Sequence, residues 1–288
     1  VDQTMTFDTI VNDPVHFDQR SVRFVLPSRQ GFLNSNSKIT LSCDAISGIG
    51  LNYYPINIGV HSLIKSSSLR IGTTEISSIS DFAQYMSYKS LFIGQDRNFE
   101  REAYLTQRLM AHDFLPFLAF RKLPLLAISD QVSITLEFTD QASLNRMCQD
   151  AGDASGQTVV INRADCQLIS DHIFYPNEIM EQLQNATGPG SLYEPFSESD
   201  FRLNKRSLTK VQAEGQNVIN VGGAGRIVSK VMCGLFNDTD ATIDKSILNI
   251  YGPRAPSLSA TNNTVLTTNL RYNNRYLYPV DRSNPALL

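Results

Sequence analysis

The chain has no tryptophan and only four cysteines and four histidines in 288 residues. Cys43, Cys148, Cys166 and Cys233 lie far apart and form no CxxC pair. Cys43, Cys166 and Cys233 fall within alternating apolar patterns, so they are expected to be buried free thiols of a chain folded in a reducing compartment. His16, His61, His112 and His172 are isolated from one another. No HxH pair offers a cupin-type metal site, and His61 and His172 read as structural residues of strands. Charge is scarce too. Charged residues make up 18% of the chain, below the roughly 25% of an average globular protein. The formal net charge is −3, with no long run of Lys or Arg. Gripping nucleic acid needs concentrated positive charge, so direct specific nucleic-acid binding is not expected. No apolar stretch reaches the length that crosses a bilayer as a helix, and no signal-peptide pattern is visible. The chain opens on Val1 and stops at Asn284-Pro285-Ala286-Leu287-Leu288, so a processed or partial product is expected.

Catalytic signatures are missing as well. There is no GxSxG. The densest glycine cluster, Gly222-Gly223-Ala224-Gly225, runs into Arg226 and an alternating segment. A phosphate loop would continue into Lys-Ser/Thr and a helix, so a tight hairpin turn is the better reading. Ser47-Gly48-Ile49-Gly50 reads as a turn too. Asp238-Thr239-Asp240, with Asp244 nearby, is the best hard-cation candidate, yet it lacks the glycine and distal glutamate of a calcium loop. Glu194 and Glu198 are a carboxylate pair in a polar loop, the weak candidate for glycoside hydrolysis. The expectation is therefore a protein that is not an enzyme, with no catalytic residue, no cofactor and no metal site. Sequons at Asn185, Asn237 and Asn262 are the kind that arise by chance in a chain rich in Asn and Thr.

What is present is period two. Ile39, Leu41, Cys43 and Ala45 alternate with polar residues in Lys38–Ile46. The same holds for Tyr54–Ile64, Val132–Phe138 and Arg226–Phe236. Such alternation makes strands with one buried and one wetter face. Further strands are predicted at Ser21–Leu26, Ser67–Ile71, Thr158–Asn162, Cys166–Tyr175, Leu203–Gln212, Asn217–Val221 and Ser246–Tyr251. Turn residues such as Pro27-Ser28, Ile71-Gly72 and Gly252-Pro253 punctuate them. Two stretches break the rhythm. Asp81–Phe92 sets Phe82, Tyr85, Met86 and Phe92 near helical spacing, with Ser80 as N-cap, and Asp96–Met110 continues it. Pro176–Asn185 reads as a short helix with Ile179, Met180 and Leu183 inward. The class is all-β, a sandwich or barrel with short helical insertions.

Several of these segments resemble the double-jelly-roll major capsid proteins of large DNA viruses, virophages and Polinton-like viruses. They are Gly59–Gly72 followed by the helical insertion, and Leu115–Ile128 running into Val132–Phe138. Cys166–Tyr175 with its helix, Val218–Phe236 and Asn269–Arg282 complete the set. The resemblance implies two tandem jelly-roll β-sandwiches. The first would span residues 1–165, with the insertion near 80–110. The second would span 166–288, short of the eight strands of a full roll: its last strands missing, the roll reduced, or the assignment of this second domain wrong. It implies a structural capsid protein, in three copies forming a pseudo-hexagonal tile of an icosahedral virion assembled inside the host cell. Its partners would be a homotrimer, neighbouring capsomers, and minor or vertex capsid proteins. Candidate intersubunit residues are Asp96, Arg97, Glu100 and Arg101 in the mixed-charge run, with Arg271 and Arg275 near the C-terminus. The alternative is a β-sandwich module that binds glycan or receptor, as in a spike, vertex or lectin-like domain. A jelly-roll enzyme, a cupin or glycosidase, is a third reading; the lack of a metal motif counts against the cupin.

Overall fold

The computed structural model describes residues 5–27, 31–45, 59–83, 85–86, 89, 108–115, 118, 122–140 and 159–185. Further on it describes 218, 220, 267–268, 271–272, 275–276 and 282–283. Strand readings at 203–212, 226–236 and 246–251 lie outside the described residues.

In chain order the strands begin with β1 (Thr6–Asn12), β2 (His16–Phe17), β3 (Ser21–Leu26), β4 (Phe32–Leu33), β5 (Lys38–Thr40) and β6 (Cys43–Ala45). A 3-10 turn at Gly59–Leu63 leads into β7 (Ile64–Ile71) and β8 (Thr74–Ile79). Then come β9 (Arg108–Met110), the short helix α1 (Ala111–Phe114), β10 (Val132–Phe138), β11 (Val159–Ile161) and β12 (Gln167–Phe174). Helix α2 (Asn177–Asn185) follows, and near the C-terminus β13 (Thr267–Thr268), β14 (Arg271–Tyr272), β15 (Arg275–Tyr276) and β16 (Arg282–Ser283).

Among the described residues the pairings make two five-stranded antiparallel sheets and three two-stranded ones, β6-β11, β13-β16 and β14-β15. One five-stranded sheet runs β1-β12-β5-β9 with β4 also on β12; the other runs β2-β3-β10-β7-β8. Numbered in chain order as β1, β3, β5, β7, β8, β9, β10 and β12, the principal strands lie in the orders one-eight-three-six and two-seven-four-five. Each sheet thus mixes early and late strands, which is the connectivity of a jelly roll. The expected all-β jelly-roll class is what the described residues form.

The alternation explains the second sheet. Val22, Phe24 and Leu26 of β3 are buried, as are Val132, Ile134, Leu136 and Phe138 of β10. Register sets Phe24 opposite Ile134 and Ile134 opposite Leu69, so three strands present one apolar row. In the facing sheet Leu168 lies opposite Ile39 and Ile39 opposite Leu109, all buried. These rows meet in one core, which also takes Phe82, Met86 and Phe114. A smaller cluster of Phe32, Leu126 and Ile173, with Tyr175 and Met180 packed on it, covers part of the first sheet's outer face.

Several expectations shift. β12 is flanked by β1, β4 and β5 in the first sheet, so the division expected between residues 165 and 166 does not separate the sheets. β12 begins beyond that division, and among the described residues it supplies the partners of Thr6–Asn12. Gly59–Leu63 is a 3-10 turn where a strand was read, and the strand starts at Ile64 instead of Ser67. Arg108–Met110, read as helical, is a strand that pairs with β5. Lys38–Ile46 is split into β5 and β6, which join different sheets. Phe82, Ala83, Tyr85, Met86 and Lys89 are helical, as the spacing predicted. The turn into that helix falls on Asp81, at φ 51, and the Tyr85 N–H donates to the Asp81 carbonyl.

Candidate functional site

The insertion helix is fastened to the sandwich by a buried ionic cluster. Lys89 Nζ donates to Asp113 Oδ1 at 2.7 Å, and His61 Nε2 lies 3.5 Å from Asp113 Oδ2. The His61 ring stacks on Phe82 with centroids 6.1 Å apart, and Lys89 Nζ sits 5.8 Å from the Tyr85 ring centre. Burial, first of all, pushes the Tyr85 hydroxyl above its ordinary value; Lys89 opposes that and Asp113 adds to it. One carboxylate thereby ties the 3-10 turn, the insertion helix and α1 together. His61 and Asp113 are both 2% exposed, so no substrate reaches them, and the cluster is a clamp. The structural role expected of His61 fits this position, on a turn instead of a strand.

A second polar pair lies on the inner face of β12. Ser170 Oγ and His172 Nε2 are 2.9 Å apart. Asn12 Nδ2 donates to Ser170 Oγ at 2.8 Å, and Ser170 Oγ lies 3.2 Å from the Ile10 carbonyl. A nucleophile needs access to its substrate, yet Ser170 and His172 are fully buried. The pair satisfies the seam between β1 and β12 and has no catalytic geometry.

Cys166 is buried and free, as expected, and burial pushes its thiol up to about 12. The Cys43 side chain, Cys148 and Cys233 lie outside the described residues, as do Asp238, Asp240, Glu194 and Glu198. Among the described residues no group of His, Cys, Asp and Glu could hold a metal ion, and no helix is long and apolar enough to cross a membrane.

Of the candidate intersubunit residues, Asp96, Arg97, Glu100 and Arg101 lie outside the described residues. Arg271 and Arg275 are exposed and come together on β14 and β15, where Arg271 faces Tyr276 and Tyr272 faces Arg275. The segment read as a loop thus contains a short antiparallel pair.

The sequence reading missed β1. Among the described residues it is an edge strand, paired to β12 on one side only. Phe7 is 67% exposed and Val11 55%, while their cross-strand neighbours Ile173 and Ile169 are better covered. Met5 and Val15 extend the apolar surface at either end. The signal was there in Phe7-x-Thr9-x-Val11, but Asp8 and the flanking Thr and Asn residues diluted the hydrophobicity by which strands were sought.

No protein-family model matches the chain, and no curated protein matches it. Solved structures do. A PBCV-1 virus capsid model matches with TM-score 0.45 and 15% identity, over 64% of this chain and 46% of that one. PBCV-1 VP54, fitted into a reconstruction of the virophage Sputnik, matches with TM-score 0.44 and 16% identity over the same shares. The Faustovirus major capsid protein matches with TM-score 0.39 and 9% identity, over 64% of this chain and 57% of that one. The matched region spans under half the length of the two PBCV-1 chains.

Proposed function

We propose that this chain is a structural subunit of an icosahedral virus capsid, a component of the virion shell that acts by assembly and not by catalysis. The observation that carries the reading is the complete jelly-roll strand order of residues 6–174, followed directly by helix α2 and about a hundred further residues. A fold alone does not define a function, so the sequence resemblance stated above bears the other half of the weight. In this reading the second roll begins after α2, and the roll boundary moves from 165/166 to the 175–186 region. Three copies form a pseudo-hexagonal tile, and neighbouring tiles with minor or vertex proteins complete the shell. Asp96, Arg97, Glu100, Arg101, Arg271 and Arg275 remain proposed intersubunit residues. Low charge suits this role, since each lateral contact is weak and the closed shell multiplies it.

Negative-stain electron microscopy of the purified chain tests the reading. Class averages with three-fold symmetry and a hexagonal outline are expected. Asymmetric monomers at all concentrations would overturn the trimeric tile and make a glycan-binding screen the next experiment.

A further inference from the structure

We propose that β1 is a contact strand between two copies of this chain, which pair edge to edge about a two-fold axis through Thr9. Natural sheets protect their edges with short strands, charges, prolines or bulges. Among the described residues three of the four end strands of the two five-stranded sheets follow that rule. β2 has two residues and β9 three, while β8 carries Glu75 and meets β7 with a register shift. β1 has seven residues, no proline, no Lys or Arg, and a single charge at Asp8. It also carries exposed Phe7 and Val11.

The order of residues says which partner fits. Thr6-Phe7-Asp8-Thr9-Ile10-Val11-Asn12 is complementary to itself when run antiparallel about its centre. Phe7 then faces Val11 of the other copy, Thr9 faces Thr9, Asp8 faces Ile10, and Thr6 faces Asn12. Phe7, Thr9 and Val11 share the outward face because they alternate with residues whose partners Ser170 and His172 point into the core. An aromatic residue against a β-branched one is a favourable cross-strand pair, and so is Thr against Thr. No like charges meet directly. Asp171, which accepts from Thr9 Oγ1 at 2.8 Å, would face its copy across three strand spacings. That is about 14 Å, beyond the Debye length of about 8 Å at physiological ionic strength. The result is one continuous sheet, β9-β5-β12-β1 joined to its mirror sequence in the second copy.

A single pair of strands buries less than the roughly 1,200–2,000 Å² of a stable interface. The contact is therefore weak on its own and gains from repetition. It goes beyond the capsid reading and is stated for the purified chain.

Disulfide capture of Thr9→Cys under mild oxidation reads the contact, with Asp8→Cys and the unmodified chain as controls. Residues directly opposite in an antiparallel pair have Cα atoms about 4.5–5.5 Å apart, within disulfide reach. Thr9→Cys is expected to give a species of twice the chain mass, several-fold more than either control. Adding Val11→Lys to Thr9→Cys is expected to suppress it by a similar factor, because a lysine on the edge opposes pairing. Circular dichroism verifies that each variant folds. No cross-link at Thr9, equal cross-linking at Asp8, or indifference to Val11→Lys would each overturn the proposal. Three-fold particles without the cross-link would remove this contact and leave the capsid reading standing. Cross-linked dimers without three-fold particles would do the reverse.

Discussion

Lys89 and Asp113 meet at 2.7 Å although they stand 24 positions apart in the sequence. The carboxylate is 2% exposed and the ammonium side chain 22%. A pair that deep is expensive to half-dismantle, because the remaining charge stays out of water without its counter-ion.

Lys89→Met is therefore expected to destabilise the chain by about 3 kcal/mol in urea unfolding, as Asp113 keeps only the more distant His61 of the two partners described above. The double variant Lys89→Met/Asp113→Leu is expected to recover part of that loss, since it removes both buried charges. A single variant within about 0.5 kcal/mol of the parent, the range of ordinary surface changes, would show that the pair does not hold the insertion.

Gly31 is a backbone position, and it makes a second prediction. Its φ is +50, and an added Cβ would come within 2.5 Å of the Ile173 carbonyl oxygen and 3.0 Å of the Phe174 ring. Its own carbonyl accepts from the Leu126 N–H. Gly31→Ala is expected to cost roughly 1–3 kcal/mol through strain and clash. Gly72, at φ +58 with only the Asp130 side chain nearby at 3.4 Å, is expected to cost less when changed to Ala. Equal melting temperatures for the parent and the Gly31 variant would refute this account of β4 docking on β12.

A third prediction separates core from surface phenylalanines. Phe24 is fully buried between β10 and the facing sheet, whereas Phe7 is 67% exposed. Phe24→Ala is expected to lose about 3–5 kcal/mol. Phe7→Ala, at concentrations too low for association, is expected to stay within about 0.5 kcal/mol. Comparable losses in thermal or urea unfolding would mean that β1 belongs to the core.

The centre of the second sheet, β3, β10 and most of β7, is legible in the sequence, whereas its edge strands β2 and β8 and much of the first sheet are not, for a physical reason. β3 and β10 have one face in the core and one outside, so Val22, Phe24, Leu26 and Val132, Ile134, Leu136 stand out at period two. In the first sheet β4 and β9 have two and three residues, too short to show a period, and β1 has side chains that are largely exposed. The 3-10 turn at Gly59–Leu63 hid for a different reason. Val60, His61 and Leu63 are all buried, so the segment carries apolar residues at a spacing that fits a strand as well as a turn. β12 is legible as a strand in the alternation of Cys166–Tyr175, but its pairing with Thr6–Asn12, more than 150 residues away in sequence, leaves no local trace. The clamp around Asp113 was equally invisible. His61, Lys89 and Asp113 are unremarkable one by one, and only the fold brings them within 4 Å.

Cys166 gives a prediction with a defined pH window. Its thiol is buried at the entry to β12, and burial raises it from the ordinary 9.0 to about 12. In the native chain at pH 8 it is expected to resist alkylation and to react once the chain is unfolded, because the thiolate is the nucleophile. Linkage adds a stability effect. Between pH 9 and 12 the unfolded chain has released a proton that the folded chain still holds, so unfolding is favoured as pH rises. The contribution of Cys166 is complete below the unfolded value and is lost above it, at up to about 1.4 kcal/mol per pH unit. Cys166→Ala removes this slope at the cost of a small cavity that does not depend on pH. The difference in stability between the parent and Cys166→Ala, measured in urea from pH 7 to 10.5, is expected to be flat to about pH 9 and then to move against the parent. Other titrating groups are shared by the two chains and cancel in the difference. Parallel curves across the whole range would mean that Cys166 ionises in the folded chain as readily as in the unfolded one, and that the seam beside β12 is open to water.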